Sequence, residues 1–162
     1  MMAFPSPKIL ILVVVILALI GGGVYYYAQN EKKPSEEEAT PAPTTGTIEG
    51  SLSFPSEGIP SDLAICAEDT STQKQYCTKD HLQDVKYTAH VGYKIEAPAG
   101  DYHVFAYLPG GSGGYSADYR AYYSEFVTCG LSINCTSHKP IVVAVKAGKT
   151  TSDVDPQDWY NF

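Results

Sequence analysis

Gly92–Tyr107, GYKIEAPAGDYHVFAY, is the stretch on which the fold turns. Two runs of strand-forming residues, Lys86–Pro98 and Gly100–Pro109, flank Ala97-Pro98-Ala99-Gly100, where a proline and a glycine supply the backbone conformations that a tight connection needs. Working outward, the pattern repeats. In Thr47–Phe54 (TIEGSLSF) the apolar Ile48, Leu52 and Phe54 fall on alternate positions, and Ser56–Asp62 (SEGIPSD) closes the run. Asp62–Glu68 (DLAICAE) puts Leu63, Ile65 and Ala67 on one face. Pro140–Gly148 (PIVVAVKAG) is a further strand whose weak alternation fits burial on both faces. Short strands separated by turns in this number predict a mainly β chain folded as a sandwich.

Residues 116–130 break the pattern. Tyr119, Tyr122, Tyr123 and Phe126 recur at helical spacing, with Ser116 placed as an N-cap and Gly130 as a C-terminal stop, so one short helix is predicted before the last strand. An extended reading of Ala121–Val127 (AYYSEFV) is the alternative, since Tyr, Phe and Val also form strands.

The amino-terminal third is of another kind. Ile9–Ala28 carries no charge, and as a helix it would reach roughly 30 Å, the thickness of a bilayer's hydrocarbon core. Tyr25, Tyr26 and Tyr27 would stand at the water interface. The expectation is an uncleaved transmembrane anchor over 9–28 in contact with membrane lipid, with residues 1–8 cytoplasmic. A cleaved signal peptide built on Ile9–Ile20 is the alternative, against which stands the missing small-residue cleavage pattern. Residues 29–45, rich in Glu and Pro, have no large apolar side chain to bury and read as a disordered linker. The remainder, 46–162, has the size of one domain. It carries eight basic and fourteen acidic side chains, a net charge of −6, which argues against nucleic acid as a partner.

The four cysteines bear on which side of the membrane that domain lies. A hairpin centred between Ser71 and Thr72 sets Cys66 directly opposite Cys77, and with them Asp69 opposite Lys74 and Ala67 opposite Tyr76. Cysteines opposed in a non-hydrogen-bonded pair have the spacing a disulfide needs. Cys129 and Cys135 enclose five residues, and pairing 66–77 with 129–135 keeps both loops local. Zinc held by Cys129, Cys135 and His138 would lack the usual close cysteine pair and a fourth ligand. A catalytic thiol with His138 as base would have to stay reduced, which an exported chain does not favour. Two disulfides place the domain outside the cytoplasm at the cell membrane, and His138 reads as a loop histidine bonded to backbone.

Three stretches resemble a known family. Gly46-Thr-Ile-Glu-Gly50, the positions Gly92, Tyr93, Ile95, Pro98, Gly100 and Tyr102, and the run into Ala147-Gly148 are similar to the carboxypeptidase regulatory-like (transthyretin-like) domains. The resemblance implies a seven-stranded sandwich, a hairpin over Gly92–Tyr102 and no catalytic machinery. It stops at Leu108–Lys139, which intervenes before the last strand and holds two of the cysteines and five of the chain's fourteen glycines.

Other chemistry is sparse. Asp153-Val-Asp-Pro-Gln-Asp158 lacks the glycine and distal glutamate of a calcium loop and reads as solvated turn acids. Gly110–Gly114 has neither helix nor basic residue to hold a phosphate. No cofactor, metal ligand or catalytic residue is assigned, and the chain is not expected to be an enzyme. Tyrosine stands out at thirteen residues. Tyr115, Tyr119, Tyr122 and Tyr123 are either packing rings or a binding surface, and as a surface they suit an envelope protein or a glycan. Two functions follow from the sequence: a membrane-anchored, non-enzymatic extracytoplasmic binding module, or a structural spacer that stabilises a neighbouring envelope protein.

Overall fold

The computed structural model describes residues 44–111 and 113–161. The expected transmembrane helix and all but the last two residues of the linker lie outside them. Among the described residues no helix is long and apolar enough to cross a membrane. Nine strands among the described residues form two sheets. They are β1 (Thr45–Ser51), β2 (Ala64–Asp69), β3 (Gln75–Thr78), β4 (Leu82–Gln83), β5 (Val91–Pro98), β6 (Gly100–Tyr107), β7 (Ala121–Tyr122), β8 (Val143–Val145) and β9 (Thr150–Thr151), with one helical turn, α1 (Glu125–Thr128), after β7. One sheet runs β4-β5-β1-β9; the other runs β3-β2-β6-β7, with β8 also on β6.

The tight connection at Pro98–Gly100 exists, but it is no hairpin. β5 pairs with β1 and β4, whereas β6 pairs with β2, β7 and β8, so the turn is a corner that carries the chain from one sheet to the other. The physical reason is burial. Tyr93, Ile95 and Ala97 of β5 and Tyr102, Val104 and Ala106 of β6 all enter the same core, which they can do only from facing sheets. The Tyr102 hydroxyl donates to Pro98 O at 2.9 Å and ties the corner. Ile48, Leu52, Leu63, Ile65, Val143, Val145 and Trp159 complete that core.

The Gly46-x-Ile48-x-Gly50 pattern has a steric cause. A Cβ on Gly46 would strike the carbonyls of Lys146 and Lys149, and one on Gly50 the carbonyl of Val154. Backbone after β8 therefore lies directly over β1, pinned by the buried Tyr93 hydroxyl, which donates to Val154 O at 2.7 Å.

Cys66 pairs with Cys77 and Ala67 with Tyr76, the register the sequence arithmetic requires, and the disulfide closes with Cα atoms 4.1 Å apart. Asp69 N–H donates to Lys74 O, so by alternation Cys66 and Cys77 form a non-hydrogen-bonded pair. The expected Asp69–Lys74 charge pair does not form. The Asp69 carboxylate instead accepts the Ser71 hydroxyl and the Ser71 and Thr72 amides, while the Lys74 ammonium lies over the Tyr76 ring at 4.9 Å.

The predicted helix over 116–130 shrinks to α1. Ala121 and Tyr122 are drawn into the open edge of β6, opposite Ala106 and Phe105, because an unpaired strand edge offers backbone partners that a four-residue nucleus of helix cannot match. Gly130, at φ +101°, is the C-terminal stop. β7 and β8 occupy the same edge of β6, β8 beside Gly100–Tyr102 and β7 beside Phe105–Ala106. The chain therefore leaves that edge at Ser124 and returns at Pro140, and Ile141 N–H closes the neck on Tyr123 O at 3.0 Å. The last strand is β9, parallel to β1, rather than the Pro140–Gly148 run.

Candidate interaction surface

Two segments pack together beside the two sheets: the stretch 108–140, in which β7 is a two-residue strand, and the carboxy-terminal strap 153–161. Trp159 joins them. It is 1% exposed, and its indole N–H donates to Ser53 O at 2.9 Å. The Tyr115 ring lies 5.0 Å from it and the Tyr119 ring stacks on it at 6.0 Å. Tyr115 OH donates to Trp159 O at 2.9 Å and Tyr119 OH to Asp158 O at 3.3 Å. Tyr123 also packs against the core. Tyr122 points the other way, against Phe105 at 5.4 Å and His103 at 6.4 Å on the outer face of the sheet. The four tyrosines are all partly buried, and burial raises each phenol above its ordinary range. They do not form one continuous patch: Tyr115 and Tyr119 stand 4.8 Å apart, while Tyr122 serves the opposite side of the sheet.

The strap holds what sequence reasoning missed. Asp158 is 1% exposed, not a solvated turn acid. Its carboxylate accepts the Ser124 hydroxyl at 2.6 Å and both its oxygens lie 2.9 Å from His138 Nδ1. His138 thus bonds a carboxylate rather than backbone, and its ring stacks on Phe126 at 4.5 Å. The order of the three groups matters. The serine proton goes to the carboxylate, not to the imidazole, so the cluster is a buried tie between strap and β7 edge, not the nucleophile-base pair of a hydrolase. Asp155 is likewise drawn in. It accepts the Ser51 amide at 2.6 Å, and burial raises its carboxyl above the usual range despite that bond. The signal available in the sequence was the apolar company of these acids, Val154, Pro156 and Trp159, all buried here.

Between Ser124 and Pro140 the surface changes character. Cys129 and Cys135 are joined, Cα atoms 5.9 Å apart, which consumes both thiols that a zinc site with His138 would use. Among the described residues no three His, Cys, Asp or Glu side chains converge as a metal would require. Cys135 is buried and anchors the loop, yet Ile133 at its tip is 96% exposed and Leu131 40%. Leu131 adopts φ +53°, and its amide is held by Phe126 O at 3.0 Å, so the tip is shaped by backbone bonds and a covalent tie rather than by burial.

No family model matches the chain, and no curated protein matches it. Among solved structures it is similar to a leucine-rich repeat protein from Bacteroides thetaiotaomicron VPI-5482, at 16% identity and a TM-score of 0.35, over 72% of this chain and 14% of that one.

Proposed function

We propose that the chain is a membrane-anchored, non-enzymatic extracytoplasmic binding module of carboxypeptidase regulatory-like type, and that it meets an envelope protein or glycan through the 108–139 stretch. One observation carries this reading: a loop closed by Cys129–Cys135 holds Ile133 almost wholly in water. An isoleucine costs free energy when exposed, and a covalently braced loop loses little further entropy when a partner covers it. The two disulfides support a location outside the reducing cytoplasm. The apolar run 9–28 supports the anchor. A second reading, a structural spacer for a neighbouring protein, is favoured by the tyrosines, since Tyr115 and Tyr119 are tied to Trp159 and Asp158.

The experiment uses an internal control. Val85 is 85% exposed on the turn after β4, remote in sequence from the stretch. A photo-crosslinking residue at 133, in cells that produce the chain, should yield discrete adducts with one envelope component, and the same residue at 85 should not. Equal labelling from both positions would remove the binding reading and leave the spacer.

A further inference from the structure

A cleft of about 280 Å³ opens between the loop that follows β1 and the turn that precedes β5. We propose that it receives one aromatic or branched aliphatic side chain of a protein partner, from a position adjacent to a lysine or arginine. That a partner is bound at all rests on the binding reading above; of the protein and the glycan it allows, the apolar lining selects the protein.

The walls set the apolar part. Leu52 forms the buried floor, and Phe54, Ile59 and Val91 stand half-buried around it. Two of the polar atoms nearby are already engaged: the Ser56 hydroxyl donates to Gly58 O at 2.8 Å, and Ser53 O accepts the Trp159 indole. A group entering this space finds dispersion contacts and few hydrogen-bond partners, which selects an apolar occupant. The size is below that of pockets for drug-sized molecules and suits a single side chain.

The far wall is held in an unusual conformation. Ala89 and His90 are consecutive non-glycine residues in the left-handed region, at φ +52° and +59°. L-residues occupy that region at a cost, and surviving instances cluster where binding needs a fixed shape. The His90 amide bonds Tyr87 O at 2.9 Å, and Asp84 N–H bonds His90 O at 3.1 Å, so the turn is locked from both sides and Ala89 faces the cleft.

The rim sets the charge. Glu57 lines the mouth, is exposed, and forms no ion pair among the described residues. With the domain's excess of carboxylates behind it, the mouth attracts a cation beside the buried apolar group. The cleft also adjoins the proposed contact stretch. The Phe54 ring, one of its walls, lies 5.7 Å from Tyr115 and 5.0 Å from Trp159.

The test is a titration of the full chain in lipid nanodiscs, with isotope-labelled Ile, Leu and Val methyls. N-acetyl-leucyl-lysine amide should produce saturable shifts at Leu52, Ile59 and Val91, and N-acetyl-leucyl-glutamate amide should bind about fivefold more weakly. Ser56→Trp, which lays an indole across the mouth, should abolish the shifts, and the exposed change Glu57→Lys should reverse the preference between the two peptides. No shift at those methyls, or shifts indifferent to Ser56→Trp, would overturn the site. Equal affinity for both peptides would overturn the charged protein segment and leave a site for small apolar molecules. Ile133→Asp should leave this titration unchanged, so failed crosslinking from 133 beside an intact titration counts against the stretch 108–139 and not against the cleft.

Discussion

The two disulfides close loops of different length, with their cysteines 11 and 6 residues apart, and do opposite things with them. Cys66–Cys77 lies across a hairpin in which β2 and β3 pair residue by residue, and β2 is buried on both faces between β3 and β6. Cys129–Cys135 closes a loop with no strand in it, whose apolar side chains Leu131 and Ile133 face water. In the first loop the covalent bond reinforces a structure already specified by backbone pairing and burial. In the second it acts with a few local turn bonds in place of strand pairing and a buried tip. A bridge of that second kind keeps a shape presentable without hiding it, which is the physical basis for assigning contact to one region and stability to the other.

On that division, the largest losses of stability come from the framework. Trp159→Ala should cost about 3–5 kcal/mol, because it empties a buried aromatic site on which Phe54, Tyr115 and Tyr119 converge. Chemical denaturation checks this, and a loss below about 1 kcal/mol would mean that the strap is not part of the framework. Replacing Cys66 and Cys77 together with serine should cost about 3 kcal/mol from loop closure, and the shorter loop of Cys129 and Cys135 about 2 kcal/mol. The reverse ranking in paired thermal melts would break the comparison. Asp158→Ala should cost about 1–3 kcal/mol, since it strands the buried Ser124 hydroxyl and releases His138. Asp158→Asn, which keeps an acceptor for Ser124, should lose less.

The smallest effect is one of pH. Asp69 is held down to about 2, first by the Ser71 hydroxyl and then by the Thr72 and Ser71 amides. Its folded value lies below the unfolded one, so its contribution is complete above about pH 4 and is lost as the pH falls toward about 2. Asp69→Asn should flatten that part of the acid-unfolding curve, slightly, because the group is exposed. An unchanged acid limb would show that the turn bonds carry no weight.

What the sequence reveals of each region follows from the range of the interactions. The hairpin register was readable because Cys66 and Cys77 are 11 residues apart and every pairing between them follows from one centre. The corner at Pro98–Gly100 was readable as a turn but not as a change of sheet. Alternation reports which side chains face a core, and β5 and β6 face the same core from opposite sides. The strap was illegible for a related reason. Asp158 looks like a surface acid until Ser124, 34 residues away, and His138, 20 residues away, are brought to it. The tyrosine spacing over 119–126 suited a helix, and only the open edge of β6, invisible locally, turns Ala121 and Tyr122 into strand.

The most direct test of the division between framework and contact loop is Ile133→Asp, assayed for both stability and partner capture. An isoleucine that is 96% exposed has almost no packing to lose, so the unfolding free energy should stay within about 0.5 kcal/mol of the parent while crosslinking from the adjoining Leu131 position falls to background. Unchanged crosslinking at unchanged stability would contradict the account, because the most exposed apolar residue of the braced loop would then be in contact with nothing.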